Sequence, residues 1–394
     1  MPGALERHFR RWYELGPDEA RRSLPLEGLR GAAAGLVFLV HYASLAGPWM
    51  HDTVTSATFS VLGALGNAGV DLFFALSGYL IYGSLIRRPQ AFLPYMRRRI
   101  VRLYPAFLAV LALYLLISAA APSNTRIPPG LDAGAAYILA NALLLPGLFP
   151  ITPIITVAWS LSYELGFYLA LPALIGVLRL RAWPPGARLG LILAGIAAAQ
   201  AAGLPHPRIG MFACGMALAE VEPWLARRGS WLWMAALAGL PLSAAALLRG
   251  GLEPMENAAT FWTVFAATFA LCGAALAGHG PVARALSFRP LRWFGNMSYS
   301  FYLLHGALLN GFFLVLARTG VDGPATAWLM LAPAFAVAWV GSTALFLLVE
   351  RRFSLATVRP GAKPAASRPY SPSLPRSPAS PSGSRRPASC RAGS

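Results

Sequence analysis

Residues 29–45 read LRGAAAGLVFLVHYASL. Arg30 opens an apolar run, and eleven positions later His41 interrupts it with an ionisable imidazole. Eleven residues advance an α-helix by about 16 Å, roughly half the hydrocarbon thickness of a bilayer, in close to three full turns. On a membrane-spanning helix Arg30 would stand at one edge, with His41 near mid-membrane on the same face. Imidazole changes charge nearest neutrality, which suits a general base that takes a proton from a hydroxyl nucleophile. A histidine that merely hydrogen-bonds two helices together fits the same pattern.

The whole chain supports the membrane setting. Its 394 residues are 56% hydrophobic and only 12% charged, with mean hydropathy +0.54. Soluble domains carry about 25% charged residues. Apolar stretches recur along almost the full length, so the expected fold is all-α, a polytopic transmembrane bundle of about ten spans. They fall near 29–47, 60–83, 103–120, 155–178, 189–203, 209–223, 231–248, 258–277, 293–315 and 325–349, the fifth and sixth being short. In a soluble protein the net charge of +18 would suggest nucleic acid. Here, of the 33 Lys and Arg residues, all but Arg126, Arg208, Arg249 and Arg318 lie on the side that alternate spans share. That bias places both termini in the cytoplasm and removes nucleic acid as a partner. Cys214, Cys272 and Cys390 have neither metal-ligand spacing nor a disulfide pattern, so no metal is expected.

The ends read differently. Residues 1–23 are polar and Arg-rich, without an apolar segment ending in a cleavage site, and are expected to be a cytoplasmic segment outside the fold. Residues 24–356 form the membrane domain. From 357 to 394 Pro, Ser, Ala and Arg dominate, a composition that buries no core and is expected to be disordered. The outer connection at 121–154 is Pro-rich but partly apolar, and is expected to pack back onto the bundle.

Ionisable groups inside a bilayer are costly and mark function. Only four acids and histidines sit well inside spans: His41, Asp71, Glu164 and His305. Asp71 lies in GNAGVDLFFALSGYLIY (66–82), among small residues that let helices approach closely. The next cytoplasmic segment ends in RRRIVRLYP (97–105), where Arg99 and Arg102 share a helix face. Two guanidiniums on one face can hold phosphate oxygens through paired donors. In VAWSLSYELGFYLALPAL (157–174) Trp159 marks the outer interface, and Glu164 lies about a turn and a half deeper. In WFGNMSYSFYLLHGALL (293–309) Tyr299 and Tyr302 precede His305 at helical spacing, a stripe equally compatible with packing.

These segments, in this order, resemble the acyltransferase-3 family of integral membrane acyltransferases over most of residues 24–353. LRGAAAGLVFLVH is similar to its Arg-x10-His signature, RRRIVRLYP to its Arg-x-x-Arg motif, and LLVERRF (347–353) to the close of its last span, with Arg352 where proline is common. The resemblance implies O-acylation of surface polysaccharides, peptidoglycan, antibiotics or other glycans in the inner membrane. It implies a cytoplasmic acyl-CoA cosubstrate, most often acetyl-CoA, and no bound cofactor. It makes His41 catalytic with Glu164 and Asp71 in support, gives the donor to Arg30, Arg99 and Arg102, and leaves substrate contacts to Trp159, Tyr299 and His305. No counterpart of the hydrolase-like domain fused to some members is expected. Two other classes share some of these features. A proton-coupled transporter also uses intramembrane His, Asp and Glu, but binds between repeated halves, and no repeat is present. A non-catalytic export scaffold would tolerate loss of His41.

Overall fold

Backbone in hydrocarbon must satisfy its own N–H and C=O groups, and the apolar runs do so as helices. The computed structural model describes residues 4–14, 23–122, 125–203, 206–249 and 254–356. The tail expected to be disordered lies outside the described residues. In chain order the helices are α1 (Ala4–Tyr13), α2 (Leu24–Ala46), α3 (Thr53–Arg87), α4 (Phe92–Ala120), α5 (Leu131–Ala142), α6 (Trp159–Val177), α7 (Pro185–Ala201) and α8 (Gly210–Arg228). They continue with α9 (Leu232–Arg249), α10 (Ala258–Ala277), α11 (Gly280–Leu286), α12 (Arg289–Asn296), α13 (Ser298–Ala317), α14 (Pro324–Leu329), α15 (Leu331–Leu345) and α16 (Arg351–Ala356). A π-helical turn at Phe346–Glu350 joins the last two. No β-strand occurs among the described residues.

Eight of these segments are long and apolar enough to cross a membrane: α2, α3, α4, Thr156–Val177, α9, α10, α13 and Pro324–Phe353. The other two expected spans are helical as well. However, α7 has only 17 residues, and α8 carries Glu220, Glu222, Arg227 and Arg228 in its second half. The chain is therefore a helical membrane bundle.

The expected boundary at residue 24 leaves out a piece of the fold. Helix α1 docks through Phe9 and Tyr13, four residues apart, while Arg7, His8, Arg11 and Trp12 stay exposed. Phe9 stacks on Trp293 and Tyr13 on Phe346. The Tyr13 hydroxyl lies 2.7 Å from Thr343 Oγ1, and its carbonyl accepts from Asn296 Nδ2 at 3.0 Å. One buried and one partly buried aromatic in ten mostly polar residues leave the overall composition polar, which is why composition alone excludes the segment. The outer connection does pack back: Asn141 accepts from the Ile154 amide at 2.7 Å, and Leu144, Ile154 and Ile155 are buried.

Glycine sets the tightest crossings. A Cβ on Gly28 would lie 1.7 Å from the Leu286 carbonyl oxygen, and one on Gly295 would lie 1.7 Å from that of Glu27, so α2 touches both α11 and α12 backbone to backbone. On the other side of α2, Gly66 and Gly69 of α3 receive Val40 and Val37. Gly215 of α8 closes on the Ala75 carbonyl of α3 in the same manner. A methyl group at such a point has no flexible neighbour to displace. Gly295→Ala is expected to lower stability in detergent by about 1–3 kcal/mol. Gly311→Ala, with open space around it, should leave the thermal midpoint unchanged or slightly raised. Equal midpoints for the two variants would disprove the backbone-contact account.

Candidate active site

Two elements bring three arginines to one cavity. Arg30 comes from the first turns of α2, and Arg99 and Arg102 come from α4 at the i, i+3 spacing that puts both on one face. The wall is completed by Val70, Phe73, Phe74 and Ser77 of α3, Ser160, Glu164 and Tyr168 of α6, and Ser298, Tyr299 and Tyr302 of α13. The cavity measures about 170 Å³. That holds the end of a substrate and not a whole coenzyme-sized molecule, for which pockets of about 300–1,000 Å³ are usual.

Each charge on the wall is held by specific partners. Arg30 donates to Ser298 Oγ at 3.1 Å. Arg102 lies 3.5 Å from Glu350 and over the ring of Tyr299. Glu350 arrives on the π-helical turn, an insertion that re-aims a side chain out of regular helical register. It also accepts from the Ser300 amide at 3.0 Å and hydroxyl at 2.7 Å. The Arg99 guanidinium stands 5.8 Å from the ring centres of Tyr95 and Tyr168, and its buried Nε has no hydrogen-bond partner among the described residues. Glu164 accepts from Ser77 at 2.8 Å and from Tyr168. Three guanidiniums thus stand against two carboxylates, Glu164 on the wall and Glu350 behind Arg102, which leaves an excess of positive charge.

Neither His41 nor His305 is on that wall. The Tyr302 hydroxyl shares a hydrogen bond of 2.6 Å with Ser160, and the Tyr302 carbonyl accepts from His305 Nδ1 at 2.9 Å. His305 Nε2 lies 3.3 Å from His41 Nδ1. The two histidines therefore meet directly, on the α13 turn that follows Tyr302. Arg30 and His41 do share a face, since both reach α13. Glu164, one candidate to orient His41, is held by Ser77 and Tyr168. Tyr299 lines the cavity and donates to the Leu103 carbonyl at 2.6 Å. Trp159 stands at the N-terminal end of α6, edge-on to Phe74 of the wall and stacked with His206.

Asp71 lies elsewhere. It is fully buried and accepts from Arg208 at 2.9 Å, and the same Arg208 nitrogen donates to the Asn67 carbonyl. Sequence reasoning misses Arg208 as the partner because it sits in a connection 137 residues away. Ser77, Tyr168 and Ser298 are missed too, although Tyr168 follows Glu164 by four residues on one helix, a spacing that marks it as a neighbour.

The cavity and the histidine pair thus both lie inside a helical membrane bundle. The profile of the acyltransferase-3 family, an acyltransferase domain, matches residues 25–347. The chain belongs to that family and is a membrane acyltransferase. It is 29% identical to acyltransferase MdmB of Streptomyces mycarofaciens over 324 residues, covering 73% of this chain and 79% of the relative. It is likewise 29% identical to the exopolysaccharide production protein ExoZ of Rhizobium meliloti (strain 1021) over 306 residues, 73% of this chain and 89% of the relative. No solved structure matches.

Removing one member of the Asp71–Arg208 pair strands a buried charge. Arg208→Met is expected to cost about 3–5 kcal/mol of stability, and adding Asp71→Asn in the same chain should recover most of it. Thermal unfolding in detergent checks this. If the doubly substituted protein folds but transfers no acyl group, Asp71 does more than hold the helices together.

Proposed function

We propose that this acyltransferase moves an acyl group, acetyl in the first instance, from cytoplasmic acyl-CoA to a hydroxyl of a glycan or glycosylated acceptor at the inner (plasma) membrane. The observation that carries the reading is the cavity with Arg30, Arg99 and Arg102 on its wall. Coenzyme A is rich in phosphate, and guanidinium forks suit phosphate oxygens. The bias of positive charge puts these arginines on the cytoplasmic side, where acyl-CoA is found. The family and the name of the exopolysaccharide production relative support a glycan acceptor.

In this scheme the arginines hold the phosphate-bearing part of the donor, and the acyl end advances past the Tyr302–Ser160 hydrogen bond towards His41. The acceptor approaches from the outer side, where Trp159 stands. Tyr299 shapes the donor path, and Glu164 keeps Ser77 and Tyr168 in place beside Arg99. His41 Nε2 takes the proton of the acceptor hydroxyl as its oxygen attacks the thioester carbonyl carbon. The new C–O bond forms, the C–S bond breaks, and the coenzyme A thiolate leaves with the proton returned from His41. Asp71 supports the site through the fold by holding Arg208 against α3.

Two measurements test this. Membranes holding the parent protein or His41→Ala at matched abundance receive labelled acetyl-CoA and cell-envelope glycans, and label is followed into alkali-labile ester. The parent should label a glycan, and His41→Ala should fall by about 10²–10⁴-fold, the usual contribution of a general base. Equal labelling would remove His41 as the base. In the same assay Arg99→Ala should raise the KM for acetyl-CoA by about 10–100-fold, the loss of a hydrogen-bonded charge contact. An unchanged KM would take the donor away from this cavity.

A further inference from the structure

His305 is fully buried, yet it is more than a packed side chain. Its Nδ1 lies 3.0 Å from the Phe301 carbonyl and 2.9 Å from that of Tyr302. Carbonyl oxygens only accept, so Nδ1 carries the proton, and in the neutral ring Nε2 keeps its lone pair. That lone pair faces His41 Nδ1 at 3.3 Å. His41 Nδ1 in turn lies 2.8 Å from the Val37 carbonyl, so it also carries its proton and shares it between Val37 and His305. One tautomer of each ring satisfies all four contacts. The opposite tautomer of either ring sets a lone pair against a carbonyl. The orientation is fixed further by Phe301, whose buried ring lies parallel to that of His305 with centroids 5.5 Å apart, while the two imidazoles meet edge to face.

The consequence falls on the other edge of His41. With Nδ1 protonated, the lone pair of its half-buried ring is on Nε2, the atom left to act as a base. We infer that His305 is a positioning residue for acyl transfer: it holds His41 in the tautomer whose Nε2 is the base, and its own Nε2 accepts from the Nδ1–H of the imidazolium formed when the acceptor hydroxyl gives up its proton. A carboxylate commonly fills this role behind a catalytic histidine. Here a neutral imidazole fills it. The inference rests on His41 being the base.

Two amides separate positioning from packing. The amide nitrogen of His305→Asn can replace Nδ1 and keep the bonds to the Phe301 and Tyr302 carbonyls, but the side chain is too short to reach His41. The carbonyl oxygen of His305→Gln can reach the place of Nε2 and accept from His41. Both variants are purified in detergent, checked for a single size-exclusion peak, and assayed for kcat and for the KM of labelled acetyl-CoA. His305→Asn is expected to lose about 10²-fold in kcat with KM within about twofold, and His305→Gln to recover at least about tenfold over it. A packing role predicts the reverse order, because Asn keeps the local bonds. Equal kcat values for the two, or Asn as active as the parent, overturn the inference. If His41→Ala retains full activity, the base assignment fails first and the inference falls with it. If His41→Ala is inactive while Asn and Gln do not differ, the inference alone fails.

Discussion

Helix α2 is gripped by backbone on two sides, and the site depends on that grip. Gly28 and Gly31 let the backbones of α11 and α12 meet it, and Gly66 and Gly69 let α3 cross on another face. Helices that pack through small residues approach closely, which fixes rotation about the axis as well as separation. Rotation is what matters here, because α2 carries both Arg30 and His41. With α2 locked, one helix face presents Arg30 to Ser298 and His41 to His305 on α13. A looser interface, built from long side chains, would let those two registers drift independently.

Charge is distributed around this frame according to what it must do. Arg208 with Asp71, Arg188 with Glu220 and Arg292 with Glu27 are paired at short range, and each pair ties together segments distant in sequence. Burying such charges is costly, and pairing offsets the cost without adding much stability. The cavity arginines are held in another way. Arg30 has a serine hydroxyl, Arg99 has two aromatic faces, and Arg102 has one carboxylate at 3.5 Å. The cavity wall thus carries three guanidiniums against the carboxylates of Glu164 and, behind Arg102, Glu350, an excess of positive charge.

Much of this was legible in the chain before any coordinates. The apolar period gives most of the spans, and helical spacing puts Arg99 beside Arg102 and Arg30 in line with His41. Those are properties of single helices. What the sequence leaves dark is the pairing between helices. Nothing in the period of α3 says that Asp71 will meet Arg208, or that His305, 264 residues on, will turn its Nε2 towards His41. Such contacts follow from crossing points, which depend on glycines whose partners are backbone atoms and so leave no side-chain pattern. Helix α1 escapes for a related reason: its two anchoring aromatics count only against the surface formed by Trp293, Trp339 and Phe346.

The choice of a second imidazole behind His41 also follows from the medium. A carboxylate there would stabilise the imidazolium more strongly. In the resting enzyme, however, it would be an uncompensated charge near mid-membrane, or would need a further cation as the Asp71 carboxylate does. Unpaired intramembrane charges cost several kcal/mol, and ion pairs bring rigid geometric demands of their own. Imidazole offers a lone pair without a charge, and its remaining N–H is satisfied by carbonyls of its own helix. On the proposed role of His41 as base, the pair is neutral until a proton arrives on His41, and the cation then exists only for the lifetime of the transfer. On that role, a dyad of this kind gives up some electrostatic stabilisation and in exchange can stand within the bilayer.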